Sequence, residues 1–396
     1  MLLRNPTLLL LFCGQALYWS CSLIGITLTA LVGVQLAPLN SLATLPLALL
    51  VLGNLLAVQP LSHFMQRHGR RPGLMLGAGG GVLGAGGGVL GGLVCAAGVW
   101  TGDFLWFCLG ALGIGVYQAS AMYYRFAALE AVDAGRKGRA SAYVLAGGVL
   151  AALLAPSLAL WSRTALAQPF VGAYLLIAVL ALAGLLLMAL LREGQAPRPA
   201  RLAWRDIGGL LRRPVVRAAI ACTATGHGLM ILIMNATPLA MSFCGLPLEQ
   251  SSRVIQWHVL GMFLPAFFAG PLVDRIGNRR VALLGAFLLA ASAGIALDGQ
   301  SVTHFLLSSL ALGSGWNLML IAGTTLLGEG HAESERGAAQ GLMEQGNSLV
   351  AALMSFGSGA LITSLGWNAV NLLVWPALLV ALALLWPVRR TRTLSR

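Results

Sequence analysis

The chain has 396 residues, 58% of them hydrophobic and only 9% charged, with a formal net charge of +13. A soluble domain carries roughly 25% charged residues, so a soluble globule with a basic surface is excluded. Nucleic-acid binding is excluded as well, because the Lys and Arg residues are not gathered in a basic domain but sit in short connectors between apolar runs.

A spanning helix needs ~20 mostly apolar residues. Twelve runs meet this, at 7–34, 41–64, 73–97, 104–131, 140–162, 169–191, 215–241, 252–273, 281–298, 303–328, 338–363 and 368–388. Lipid admits only helices or closed barrels, and these runs are too long and uniform for barrel strands. The predicted fold class is therefore an all-α membrane protein. Leu8 to Phe12 imitates a signal peptide, but the apolar run continues to about Val34, which makes it a first span.

The third run repeats Gly77-Ala78-Gly79-Gly80-Gly81-Val82-Leu83 as Gly84-Ala85-Gly86-Gly87-Gly88-Val89-Leu90. In lipid such a stretch is predicted to stay helical, its small residues letting neighbours approach closely. A phosphate-cradling loop would need a Lys and a strand–loop–helix setting, and both are absent. The connector at 192–214 divides six runs (1–191) from six (215–396). Its opening, Gln195-Ala196-Pro197-Arg198-Pro199-Ala200, cannot be a helix interior. Its second part, Leu202 to Arg213, mixes apolar and basic residues as a surface-lying helix would. If the N-terminus is cytoplasmic, all of the 25 basic residues but Arg125, Arg163 and Arg253 fall on the inside. That bias places both termini in the cytoplasm of an inner or plasma membrane. The cysteines (Cys13, Cys21, Cys95, Cys108, Cys222, Cys244) show no C-x-x-C pairing and read as buried hydrophobes, with no metal or cofactor expected.

Between the eighth and ninth runs lies Gly270-Pro271-Leu272-Val273-Asp274-Arg275-Ile276-Gly277-Asn278-Arg279-Arg280. A weaker copy, Ser62-His63-Phe64-Met65-Gln66-Arg67-His68-Gly69-Arg70-Arg71, lies between the second and third. Ser62 stands for Gly270 and Gln66 for Asp274, and the Arg pair of the earlier copy comes one residue sooner. The form G-x-x-x-D-R-x-G-x-R-R resembles the loop motif of the major facilitator superfamily, which recurs in both six-helix halves. That resemblance implies twelve helices in two pseudo-symmetric bundles, with the motif arginines anchoring a cytoplasmic gate. Asp274 and Arg275 are expected to pair across that face. In the fifth run, the positions of an antiport exporter motif read Ala142, Ala151, Ala155, Pro156, Ala159 and Leu160, small residues without the glycines. The duplication also sets Gly113 and Gly115 against Gly313 and Gly315.

Polar groups at membrane depth are costly and usually face an interior cavity. The first run supplies Gln15, Tyr18 and Trp19; the fourth, Gln118 and Arg125, which one helix would put on one face. Arg125 reads equally as a residue snorkelling to the interface. The seventh offers His227 and Asn235, then a kink at Thr237-Pro238; the eighth, Gln256 and His258; the tenth, Trp316, Asn317 and Thr324; the eleventh, Glu344, Gln345 and Asn347. From these the expected substrate-binding set is Gln15, Trp19, Gln118, His227, Asn235, Trp316 and Asn317. Glu344, with His227 or His258 as relay, is the expected proton-coupling group. Met230, Met234, Met241 and Met262 read either as an adaptable apolar wall or as packing.

With no nucleotide-binding motif, the function that follows is secondary transport of a small organic solute by alternating access, with proton coupling the favoured energy source, in a monomer whose partners are the solute and membrane lipids. An integral membrane enzyme acting on lipid would need acids clustered at one depth, and here they are scattered. A transporter-like sensor would bind solute without moving it.

Overall fold

The computed structural model describes residues 5–39, 42, 45–79, 87–192 and 204–387. Among them the chain is helical and contains no strand. The first half comprises α1 (Pro6–Leu36), α2 (Leu45–His68), α3 (Arg70–Gly79), α4 (Gly88–Thr101), α5 (Phe104–Ala121), α6 (Tyr124–Glu130), α7 (Lys137–Leu145), α8 (Gly147–Arg163) and α9 (Val171–Ala189). A connector helix α10 (Trp204–Arg212) precedes α11 (Pro214–Phe243), α12 (Leu248–Phe263), α13 (Ala266–Ile276), α14 (Asn278–Asp298), α15 (Val302–Leu327), α16 (Arg336–Leu372) and α17 (Val374–Leu385).

Local chemistry sets the ends. Asn5 caps α1, its Oδ1 accepting the N–H groups of Thr7 at 3.0 Å and Leu8 at 3.4 Å, and Pro6 follows where no intrahelical N–H is needed. Pro265 breaks the eighth span into α12 and α13. Among the described residues, ten helical stretches are long and apolar enough to cross a membrane. The third expected span is α3 with α4, and the middle of its glycine repeat, 80–86, lies outside the described residues, as does the connector opening at Gln195 to Ala200. Gly366, at φ 78°, divides the long α16 into the eleventh span and the start of the twelfth. At Pro238 the expected kink does not end the helix; α11 runs through, and Thr237 Oγ1 donates to Ile233 O at 2.7 Å.

The halves repeat one packing scheme. In the first, α2 crosses α5 with Gly53 against the Leu112 carbonyl and Gly115 against that of Leu50. In the second, α12 crosses α15 with Gly261 against the Leu310 carbonyl and Gly313 against that of His258. Side chains at these four positions would prevent the backbones from meeting. Packing thus equates Gly115 with Gly313, two residues away from the glycine match that the sequence suggests. In the corrected register Gln118 answers to Trp316, and Ala119 to Asn317.

The basic loops gather at one end, here called the basic face. Arg70 reaches Glu130 at 2.7 Å, and Asn278 Nδ2 donates to Glu329 at 2.5 Å in the second half. Arg213 grips Glu335 through two bonds, of 2.6 and 2.7 Å, tying the connector to the loop before α16. Those bonds, with the Ala332 N–H, hold the Glu335 carboxyl below its usual range. At the other end Trp100, Trp106 and Trp161 are exposed, as in an interfacial aromatic belt.

Candidate substrate site

Six helices of the two halves, with the last turn of α5, converge on a small cavity near mid-span. Gln15 and Trp19 come from α1, Met122 from the break between α5 and α6, Arg125 from α6, Leu145 from α7, His227 from α11, Trp316 from α15 and Asn347 from α16. Its volume of about 10 Å³ holds at most one water. An organic solute does not fit in this arrangement of the helices.

Two of the lining side chains are indoles, and both contact Phe263. Trp19 meets the ring of Phe263 at 4.8 Å between centroids, Phe263 meets Trp316 at 6.0 Å, and Trp316 lies 6.4 Å from Trp19. All three contacts are edge-to-face, an arrangement worth ~0.5–1.5 kcal/mol per pair, and it joins an indole of the first half to two rings of the second. Trp316 Nε1 donates to His227 Nδ1 at 3.0 Å, so the neutral imidazole carries its proton on Nε2.

At the floor, Arg125 Nη2 is paired with Glu344 Oε1. Arg125 is 3% exposed and Glu344 fully buried. The guanidinium lies 4.9 Å from the ring centre of Phe126, and Asn347 Nδ2 donates to Glu344 Oε1 at 3.4 Å. Burial in the interface rules out snorkelling for Arg125. A buried pair gains little net stability, but removing one partner costs ~3–5 kcal/mol because the other charge stays uncompensated. The pair spans the two halves, so that cost falls on the arrangement in which they touch.

Gln15, Trp19, His227 and Trp316 thus lie together on this cavity, and the other residues of the expected set lie elsewhere. Between Gln118 and Arg125 the regular helix is interrupted at Met122 and Tyr123, where Tyr123 Oη donates to the Val58 carbonyl at 3.2 Å, and only Arg125 reaches the cavity. Gln118 is partly buried and does not line the cavity. Asn317 is fully buried between helices, donating to the Met262 carbonyl at 2.7 Å, the task its register gives it opposite α12. Asn235 donates to Ser355 Oγ at 3.2 Å, between α11 and α16 and away from the lining residues. His258 Nδ1 is bonded to the Ser309 carbonyl at 2.9 Å, and among the described residues neither histidine bonds Glu344. The methionines of the expected wall do not line the cavity, whereas Met122 does. Phe263 was missed, and nothing in the sequence sets it apart from the other aromatic residues of its span. Asn347 had the signal of a polar residue one helical turn from Glu344.

On the basic face the halves close through two unequal contacts. Between α13 and α7, Gly270 lies against the Gly138 carbonyl and Asp274 pairs with Arg139 at 2.9 Å. Arg139, not Arg275, is therefore the partner of Asp274. Between α2 and α16, Ser62 Oγ donates to the Gly337 carbonyl at 3.0 Å and Gln66 Nε2 to Ser62 Oγ at 3.3 Å. Arg70 also contacts Gln340 across this seam, and Arg336 lies 3.8 Å from Glu130. Arg67 and Arg71, like Arg275, Arg279 and Arg280, stand on the same face; Arg279 lies 5.4 Å from the ring centre of Trp386. Gly69 and Gly277 both take positive φ, 97° and 87°, where the chain turns into the next helix.

This architecture, two six-helix bundles around a central cavity, is that of a transporter. The chain belongs to the Major Facilitator Superfamily, whose sequence model matches residues 248–396. It is 38% identical over 385 residues to the riboflavin transporter RfnT of Brucella anthropi, covering 96% of this chain and 94% of that one. Solved structures agree in fold. The human organic anion transporter MFSD10 (TETRAN) superimposes with a TM-score of 0.76 at 14% identity, over 96% of this chain and 99% of that one. FucP in its outward conformation gives 0.73 at 16% identity, over 96% and 98%.

Proposed function

We propose that this transporter moves riboflavin, or a planar heteroaromatic compound of that kind, by alternating access between its two halves. The observation that carries the reading is the pair of indoles on the cavity, Trp19 from the first half and Trp316 from the second, both in contact with Phe263 and bordered by the polar groups of Gln15, Arg125, His227 and Asn347. Similarity to RfnT along nearly the whole chain supports the same substrate class. The basic face is the cytoplasmic one on the positive-inside rule. Its two seams are the contacts that part when the site opens inward, and each carries an ion pair between the halves, Asp274–Arg139 on one and Glu130–Arg336 on the other. Coupling runs through Glu344, which gives up Arg125 when the halves separate and is then free to take a proton.

The test is uptake of labelled riboflavin by a riboflavin-auxotrophic bacterium that lacks its own transporter and expresses this chain. Saturable uptake is expected, with at least a tenfold loss in Trp19→Ala or Trp316→Ala. No uptake above the empty vector, with the protein present in the membrane, would refute the reading.

A further inference from the structure

Trp316 and His227 line the cavity as a bonded pair. An indole N–H can only donate, so the 3.0 Å bond from Trp316 Nε1 makes His227 Nδ1 the acceptor. Protonating Nδ1 would set two donors against each other and leave a buried N–H without an acceptor. The bond therefore selects the neutral imidazole with its hydrogen on Nε2. His227 is only 5% exposed. Among the described residues its Nε2 has no hydrogen-bond partner, and packing does not enclose it as it encloses His258 Nε2. One water can answer this N–H in the closed arrangement. A solute that displaces the water has to offer an acceptor in its place.

The two indoles therefore have different tasks. Trp19 Nε1 has no partner among the described residues, whereas Trp316 Nε1 is already bonded. Trp316 is held edge-to-face by Phe263 at 6.0 Å and Trp19 at 6.4 Å, which keeps its N–H on His227. Among the described residues the other ionisable groups at the cavity are Arg125 of α6 and its partner Glu344 of α16; α1, α7 and α15 present none there.

We propose that His227 is a fixed, uncharged hydrogen-bond donor to the solute and that Trp316 is the positioning residue that holds its tautomer. His227 then selects a solute with an acceptor at that point, such as a carbonyl oxygen or a bare ring nitrogen, and carries no proton across the membrane. This rests on the heteroaromatic substrate proposed above and names a group that selects it. Recognition and coupling are thereby separated, with His227 and Trp316 serving the first and Glu344 and Arg125 the second.

The test uses the full-length protein. Gln reproduces both roles of this imidazole, an acceptor for Trp316 and a donor to the solute, but does not take up a proton. In proteoliposomes His227→Gln is expected to raise the apparent KM for riboflavin about threefold and to keep accumulation driven by a pH gradient. His227→Phe, with no donor, should raise it at least tenfold. The tautomer is read separately by nitrogen NMR of isotope-labelled histidine in nanodiscs, assigned by difference with His227→Gln or His227→Phe. A bare Nδ1 and a protonated Nε2 are expected. The Nδ1 resonance should move in Trp316→Phe, which keeps an aromatic ring and loses the N–H, and should stay in place in Trp19→Phe. Loss of pH-driven accumulation in His227→Gln with substrate exchange intact overturns the proposal, because His227 would then carry the proton. So does a KM raised as far in His227→Gln as in His227→Phe, or an Nδ1 resonance in Trp316→Phe that matches the wild type. The spectra require no solute, so a failure of riboflavin transport and a failure of this assignment are told apart. They also decide the matter if His227→Gln does not fold.

Discussion

Glu344→Gln is the substitution whose effect the geometry sizes best. Glu344 and Arg125 are buried, come from opposite halves and touch only while the halves are closed at this depth. Gln keeps the shape of Glu344 and an acceptor for Arg125 and Asn347 but removes the compensating charge. Breaking such a pair costs ~3–5 kcal/mol, and the retained bonds argue for the lower end. At ~1.4 kcal/mol per decade, ~3 kcal/mol moves the balance about a hundredfold away from the closed arrangement. Two assays read this. A cysteine at Gln66, which lies against Gly337 across the seam, should be alkylated faster from the basic face in a background without native cysteines. In proteoliposomes the variant should still exchange substrate for substrate but fail to accumulate it down a pH gradient. Replacing both residues by apolar ones (Arg125→Met with Glu344→Leu) should slow labelling again, since no lone charge is then buried. Unchanged labelling together with wild-type accumulation in Glu344→Gln would refute the reasoning.

Asn317→Ala should act on stability, because its bond ties α15 to the Met262 carbonyl: we expect a loss of ~1–3 kcal/mol in unfolding experiments with an apparent KM within about threefold of wild type. A tenfold rise in KM at unchanged stability would return Asn317 to the substrate site. Asp274→Asn should have a mild effect, since its partner Arg139 is half exposed and such pairs are worth ~0–1 kcal/mol; labelling at position 66 should rise by no more than about fivefold. Gly270→Val should have a larger effect, because even its Cβ would come within 2.7 Å of the Gly138 carbonyl and hold the seam open; labelling no faster than in Asp274→Asn would show that the backbones have room to spare. The connector clamp should respond to acid: Glu335 has a depressed folded-state value, so its contribution is present above the unfolded value of ~4.3 and lost as pH falls through the lower folded one. A spin label at Gly209 should keep its mobility from pH 7 to pH 5 and loosen only below the usual carboxylate range, whereas in Glu335→Gln it should be loose throughout.

Membrane helices announce themselves through composition, and for that reason the spans and the repeated basic loop were legible in the sequence. The site was legible only in part. Gln15, Trp19, His227 and Trp316 could be found because polar and indole groups are expensive in lipid and usually serve a cavity. The same cost argument misled at Asn317, Asn235 and His258, where the polar group satisfies a neighbouring helix instead. Hydropathy cannot separate these cases, since both bury the group. The register of the duplication failed for a related reason: glycines mark close approach, but Gly113 and Gly315 serve contacts with α4 and α14, whereas Gly115 and Gly313 serve α2 and α12. Only the packing shows which glycine answers to which. The Arg125–Glu344 pair joins residues 219 apart in sequence, and no local pattern points from one to the other.

The corrected register also shows where the two halves stop being equivalent. Leu145 stands three residues past Ala142 as Glu344 stands past Gly341, and those two small residues face Gly270 and Ser62 in matching contacts. Gly323 stands ten past Gly313 as Arg125 stands ten past Gly115. One diagonal of the pseudo-symmetric interface therefore holds Arg125 and Glu344, and the other holds Gly323 and Leu145, with no charge at all. At the gate each seam has its own ion pair, Asp274–Arg139 on one, with Gln66 and Ala338 in their places on the other, and Glu130–Arg336 on that other. A transporter whose halves were true copies would have no electrostatic reason to respond to protons at one contact rather than the other. At the depth of the cavity the charges that must separate on opening lie on a single diagonal, and on the coupling proposed above it is the proton taken by Glu344 that offsets the loss of Arg125. Moving the pair to the opposite diagonal, as Leu145→Glu with Gly323→Arg in a background of Glu344→Leu and Arg125→Gly, should restore closure at the basic face without restoring pH-driven accumulation if the carboxylate must stand beside Asn347. Full recovery of accumulation would instead show that any buried pair across the halves suffices.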